Sequence, residues 1–130
     1  MSWKVEYDEA LGIVVDTYVG KSSGKDFKDV AKKRIALGRE KGVEKTLIDA
    51  LRMETDSSTT FDVYDIVEHM YNEEGRRANW KIAITTPVSS AAREQVCFYV
   101  NVCKNRGWII EEFTKRNEAL EWLLSHPPTF

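Results

Sequence analysis

Asp56, Ser57 and Ser58 are the residues whose types and spacing point most directly to chemistry. They follow Thr46-Leu47-Ile48-Asp49 and the stretch Ala50 to Thr55, and they precede Phe61-Asp62-Val63-Tyr64-Asp65-Ile66-Val67. The pattern reads as a buried strand ending in Asp49, a hydroxyl-rich loop and an amphipathic helix. In an open α/β sheet such junctions lie at the carboxyl ends of the strands, where ligands bind. A serine at a helix start suits a phosphate, because free amides and the helix dipole stabilise added negative charge. Capping alone also selects Asp, Ser and Thr there, and Glu54, Asp56 and Asp62 would repel a phosphate. Capping is the plainer reading and a phosphoserine switch the sharper one.

Thr85-Thr86-Pro87-Val88-Ser89-Ser90 stands at the equivalent end of the next strand, with Pro87 suited to a first helical position and Thr86 to its cap. This loop is expected beside the Ser57 loop, and together with Ser22-Ser23 the two predict a neutral, hydroxyl-lined rim, with Asp49 as a further rim candidate, able to hold a small anion through backbone amides. The following helix is apolar on two sides, with Ala92, Val96, Tyr99 and Cys103 on one stripe and Phe98 and Val102 on another. The last helix is expected to cover the second stripe through Trp122. Otherwise Phe98 and Val102 form a dimer contact, or help line an apolar pocket bounded by Tyr64, Tyr99 and Trp122.

Other polar residues give weaker signals. His69 shares a helix face with Asp62, Asp65 and Asn72, and His126 lies in the Pro-rich tail, so a solvated face outweighs a metal site. Asp16 and Asp49 are candidates for partial burial, but neither has a partner base to make it catalytic. The pattern asks for no metal and no cofactor.

Positioning these residues requires regular elements. Trp3, Val5 and Tyr7 alternate with Lys4 and Glu6, then a short turn leads into the β-branched run Leu11 to Val19, an antiparallel hairpin. Ser23 and Asp26 form a capping-box pattern ahead of Phe27, Val30, Ala31, Ile35 and Gly38 at helical spacing. Strands at Lys45–Asp49, Trp80–Thr85 and Trp108–Phe113 then alternate with helices at Thr60–Glu74, Thr86–Arg106 and Asn117–Leu124. Gly42, Gly75 and Gly107 each follow a helix end, where a left-handed cap suits glycine. Crossovers of this length require parallel strands and a right-handed path.

The 130 residues suffice for a single domain, 1–130, with its own core. The net charge of −2 gives no overall field for nucleic acid. From Lys21 to Lys45 nine basic residues face four acidic ones, whereas Asp49 to Glu74 holds one basic and eight acidic. The two stretches are either solvated faces or surfaces that attract each other or a partner. Cys97 and Cys103, six apart on one helix, cannot bridge internally and suggest a reducing compartment. With no leader pattern at Met1-Ser2-Trp3-Lys4 and no run of the ~20 apolar residues a bilayer needs, a cytoplasmic protein is expected.

The element order and two motifs resemble the STAS domain, the SpoIIAA-like module of sulfate transporters and bacterial anti-sigma-factor antagonists. Leu47-Ile48-Asp49 matches that family's Leu-x-Asp strand end, and Asp56-Ser57-Ser58 matches its phosphorylated Asp-Ser-Ser/Thr. Thr59-Thr60-Phe61 stands where the family has Gly-Leu-Gly. The ending Glu118-Ala119-Leu120-Glu121-Trp122-Leu123 resembles stand-alone bacterial SpoIIAA-like proteins. The resemblance implies an α/β, SpoIIAA-like sandwich with a mostly parallel five-stranded sheet, an N-terminal antiparallel hairpin and about four helices. It also implies a non-enzymatic regulatory domain with a protein partner, released by serine phosphorylation. The alternative is a carrier or sensor of a small apolar or anionic ligand held between sheet and helices.

Overall fold

A computed structural model describes residues 2–55, 65–67 and 80–125. Strand β1 (Ser2–Asp8) runs antiparallel to β2 (Ile13–Ser22), with Trp3 opposite Tyr18 and Tyr7 opposite Val14. The turn is one residue longer than the spacing suggests. Asp8 accepts from Leu11 N through its carboxylate at 3.0 Å and from Gly12 N through its carbonyl at 2.8 Å, and Gly12 takes φ 66°. Leu11 therefore belongs to the turn, and β2 starts at Ile13.

Helix α1 (Gly24–Lys41) opens with the expected capping box, in which Ser23 Oγ accepts from Asp26 N and the Asp26 carboxylate accepts from Ser23 N. It closes on Gly42 at φ 66°. β3 follows as Lys45–Thr55, six residues beyond Asp49. Then come β4 (Lys81–Thr85), α2 (Ser90–Asn105), β5 (Ile109–Phe113) and α3 (Arg116–Leu124). The described residues thus hold three long helices rather than four. Of the helix expected at 60–74, Asp65, Ile66 and Val67 are described, and they are helical.

The sheet order is β1-β2-β3-β4-β5, antiparallel at the first pair and parallel throughout the rest. One face carries the main core: Phe27, Val30, Ala31 and Ile35 of α1, Ala92, Val96 and Val100 of α2, and Ile66 and Val67, packed on Val14, Ile48, Ile82, Ile84 and Ile110. The other face carries a smaller core, where Ala119 and Leu123 of α3 meet Ile13, Val15, Leu47 and Ala83. The described parts of the three crossovers, α1, Ile66 with Val67, and α2, lie on the main-core face, and each connection advances one strand in the same direction. The three windings therefore share one hand, as expected of parallel crossovers. The two oppositely charged stretches touch where Lys28 Nζ meets Asp65 Oδ2 at 2.7 Å.

Candidate functional site

β3 is irregular at the place the sequence singles out. Thr17 pairs with Asp49 but Val19 pairs with Arg52, so β3 carries one extra residue, a bulge at Ala50–Leu51. The bulge leaves Asp49 and Arg52 on the face covered by α3, while Ile48, Ala50 and Met53 stay in the main core. Asp49 Oδ2 meets Arg116 Nη1 at 3.1 Å, and its Oδ1 lies 3.4 Å from Leu51 N. Asp49 is thus a mid-strand residue held by the first residue of α3, and not the end of its strand.

Beyond Ile48, opposite Ile84, β3 leaves the β4 ladder. Side-chain and loop contacts replace it: Thr85 Oγ1 accepts from Ala50 N at 2.8 Å, and Leu51 O accepts from Val88 N at 3.1 Å. Thr86 does not cap α2. Its hydroxyl donates to Glu112 Oε2 at 2.6 Å, Pro87 is buried ahead of the helix, and Ser89 takes the cap position without a side-chain hydrogen bond. Ser90 is exposed at the first position of α2. Meanwhile β2 and β3 stay paired out to Ser22 and Thr55. Five residues of β2 separate the level of Asp49 and Thr85 from that of Ser22, about 17 Å along the strand. The predicted rim is therefore divided: Asp49 and Thr85 share one level of the sheet, from which the bend of residues 86–90 departs, and Ser22-Ser23 lie at another.

The interlayer holds a polar cluster in which Arg34 was not singled out by the sequence. Arg34 Nε of α1 meets Asp16 Oδ2 of β2 at 2.8 Å, both buried, and Arg34 Nη1 donates to Tyr99 Oη of α2 at 3.4 Å. Tyr99 in turn hydrogen-bonds the buried Cys103 thiol. Burial raises the Asp16 carboxyl to about 6, against the opposing pull of the Arg34 charge and hydrogen bond. Burial likewise pushes Cys103 up to about 12, despite the Tyr99 hydrogen bond and the Arg34 and Arg106 charges. Next to Arg34 lies a cavity of about 50 Å³, lined by Tyr18, Phe27, Met53, Ile66, Gln95 and Tyr99 among others. That is about a third of the ~150 Å³ of an engineered cavity that accepts benzene. The available signal was a charge on each of two apolar stripes: Asp16 inside a β-branched strand, and Arg34 between Ala31 and Ile35.

No protein-family model matches the sequence, and comparison with curated proteins finds no match. Among solved structures, the unphosphorylated form of the anti-sigma factor antagonist SpoIIAA superposes with a TM-score of 0.56 at 15% identity, covering 93% of this chain and 96% of that one. The fold is SpoIIAA-like. An uncharacterised protein of the DUF3478 family from Shewanella loihica PV-4, itself described as having a SpoIIAA-like fold, matches with a TM-score of 0.54 at 14% identity over 94% and 92% of the two chains.

On this SpoIIAA-like frame, Asp56, Ser57, Ser58 and Tyr64 lie outside the described residues, as do Asp62, His69, Asn72, Gly75 and His126. The remaining pocket candidates are not brought together. Tyr99 lines the interlayer cavity, whereas Trp122 belongs to the smaller core on the opposite face, where its ring lies 5.6 Å from that of Phe113. Trp122 therefore does not cover Phe98 and Val102. Val102 is buried in the main core and Phe98 packs against it, so the second apolar stripe of α2 is satisfied within its own layer. Among the described residues no group of three or more His, Cys, Asp or Glu could hold a metal, and no helix is long and apolar enough to cross a membrane.

Proposed function

We propose that this chain is a non-enzymatic regulatory module that works in the cytoplasm by binding another protein, with Asp56, Ser57 and Ser58 and the helix after them as its contact surface. The observation that carries the reading is the pairing of Ser22 with Thr55 at the far carboxyl end of the sheet. It brings Thr55, the residue that precedes Asp56 in the sequence, beside the capped start of α1, on a fold shared with an anti-sigma factor antagonist. Phosphate on Ser57 or Ser58 would add about −1.5 to −2 charges to a stretch of sequence that already carries Glu54 and Asp56, and weaken a partner's grip by repulsion. The test is mass spectrometry of Ser57 and Ser58 in protein from its native cells, followed by partner binding with each form. A partner held by the unmodified form and released by the phosphorylated form supports the proposal. Substrate turnover that requires Asp49 or Asp56 would overturn it.

The interlayer cavity favours a second reading, a carrier of a small ligand between sheet and helices. Arg34 and Asp16 already neutralise each other there, so an added ion would bring uncompensated charge into a buried site. The occupant the cavity suits is neutral and of a few heavy atoms. Native mass spectrometry of freshly purified protein separates the two readings, since a carrier retains its ligand and an interaction module comes out empty.

A further inference from the structure

Among the described residues β1 is an edge strand, paired with β2 on one side only. Its sequence, Ser-Trp-Lys-Val-Glu-Tyr-Asp, is symmetric in character about Val5. Aromatic residues stand two positions to either side, Trp3 and Tyr7, and opposite charges stand one position to either side, Lys4 and Glu6. Val5 is buried in the main core against which Trp3 packs. Lys33 and Lys41 lie over the Trp3 and Tyr7 rings at 5.9 and 5.5 Å. Lys4 and Glu6 are exposed and lie 3.3 Å apart.

We propose that β1 pairs antiparallel with β1 of a second copy of this chain, Val5 opposite Val5, joining two five-stranded sheets into one. A two-fold axis normal to the sheet keeps both helical layers on the same side, and the alternation of side chains then permits only registers that shift by two residues. Centred on Val5, Lys4 of each copy opposes Glu6 of the other, and Trp3 opposes Tyr7, so the charged and the aromatic pairs are both matched. Centred on Lys4 or on Glu6, like charges meet at the axis. The other edge offers no such match. β5 reads Ile-Ile-Glu-Glu-Phe, so pairing about Glu111 or Glu112 puts carboxylates together, and Glu111 is already engaged by Lys104 at 3.2 Å. The same symmetry turns Lys33 of one copy toward Lys41 of the other. That repulsion keeps the dimer weak.

Sedimentation equilibrium across a concentration series tests this, with thermal melts of dilute protein as a check on folding. The wild type should show a monomer–dimer equilibrium. Lys4→Glu or Glu6→Lys alone should weaken it about tenfold or more by opposing like charges twice, and the double exchange should restore it, with the dilute melts unchanged. Isotope-filtered NMR of mixed labelled and unlabelled protein should show contacts between Trp3 and Tyr7 of different copies. A wild type that stays monomeric to about 1 mM, or a dimer indifferent to these exchanges, would overturn the proposal. Neither outcome bears on the Ser57–Ser58 contact.

Discussion

Lys81 Nζ lies 2.6 Å from the carbonyl oxygen of Trp122 and 4.4 Å from the centre of that residue's ring. A strand lysine thus closes the end of α3, reaching Ser125 O and Oγ as well, at 3.3 and 3.2 Å. The last carbonyls of a helix carry partial negative charge, and a cation there satisfies acceptors the helix cannot. Burial, followed by the nearby Lys45 charge, lowers the pKa of Lys81. Lys81→Met keeps the stem over the ring and removes the donors, so urea denaturation should show a loss of about 1–2 kcal/mol. An unchanged midpoint would mean that the hydrophobic contacts of Ala119 and Leu123 alone hold α3.

The Asp16–Arg34 pair predicts a pH dependence. The Asp16 carboxyl is raised to about 6 in the folded chain, against about 3.9 when unfolded. Between those values the native state binds more protons than the unfolded state, so this group's contribution to stability falls as pH rises from about 4 through about 6 and is level above. Asp16→Asn should flatten that part of the stability–pH curve relative to wild type. Equal slopes for the two proteins would show that the carboxyl is already ionised well below pH 6.

Two arginine–aspartate pairs should differ sharply. Arg34→Met strands a buried carboxylate and should cost roughly 3–5 kcal/mol at neutral pH. Arg116 is half exposed where it meets Asp49, and Arg116→Ala should cost less than about 1 kcal/mol. Chemical denaturation of both variants under one buffer makes the comparison.

Thr85→Val should expose the importance of the bulge. It removes the acceptor for the buried Ala50 N–H, and an orphaned buried donor costs about 1–3 kcal/mol. Thr85→Ser keeps that acceptor and should be milder. Urea titration of the pair separates hydrogen bonding from packing.

The thiols should react unequally. Cys103 is buried and pushed up to about 12, whereas Cys97 is exposed on α2. A thiol reagent at pH 8 should therefore label Cys97 in the native protein and reach Cys103 only after unfolding. Rapid labelling of both would show that α2 opens readily from the sheet.

Much of the fold was legible because local rules agreed with the final packing. The Ser23–Asp26 capping box, the Gly42 cap and the alternation of β1 each specify a structure within a few residues. Where the sequence misled, a distant partner had intervened. The end of β3 was hidden because the bulge changes the inward spacing from Ile48–Ala50 to Ala50–Met53, which breaks the period of two. The start of α2 was placed too early because Thr86 and Pro87 look like a helix opening, yet Glu112 claims the Thr86 hydroxyl and Leu51 holds Val88. Arg34 was passed over because a charge on a helix is ordinarily assigned to solvent, and its partner Asp16 is eighteen positions away on another element. For the candidate site, the hydroxyl-rich bend after β4 was legible, and its separation from Ser22-Ser23 was not, since strand lengths depend on pairing register.

Because β2 and β3 outrun β4, the carboxyl border is a staircase rather than a level shelf. Thr55 leaves from the upper tread, together with the first turn of α1, while the bend between β4 and α2 sits on the lower one. A flat-faced visitor resting on the summit would hang clear of the lower bend; only a protruding finger could touch both treads at once.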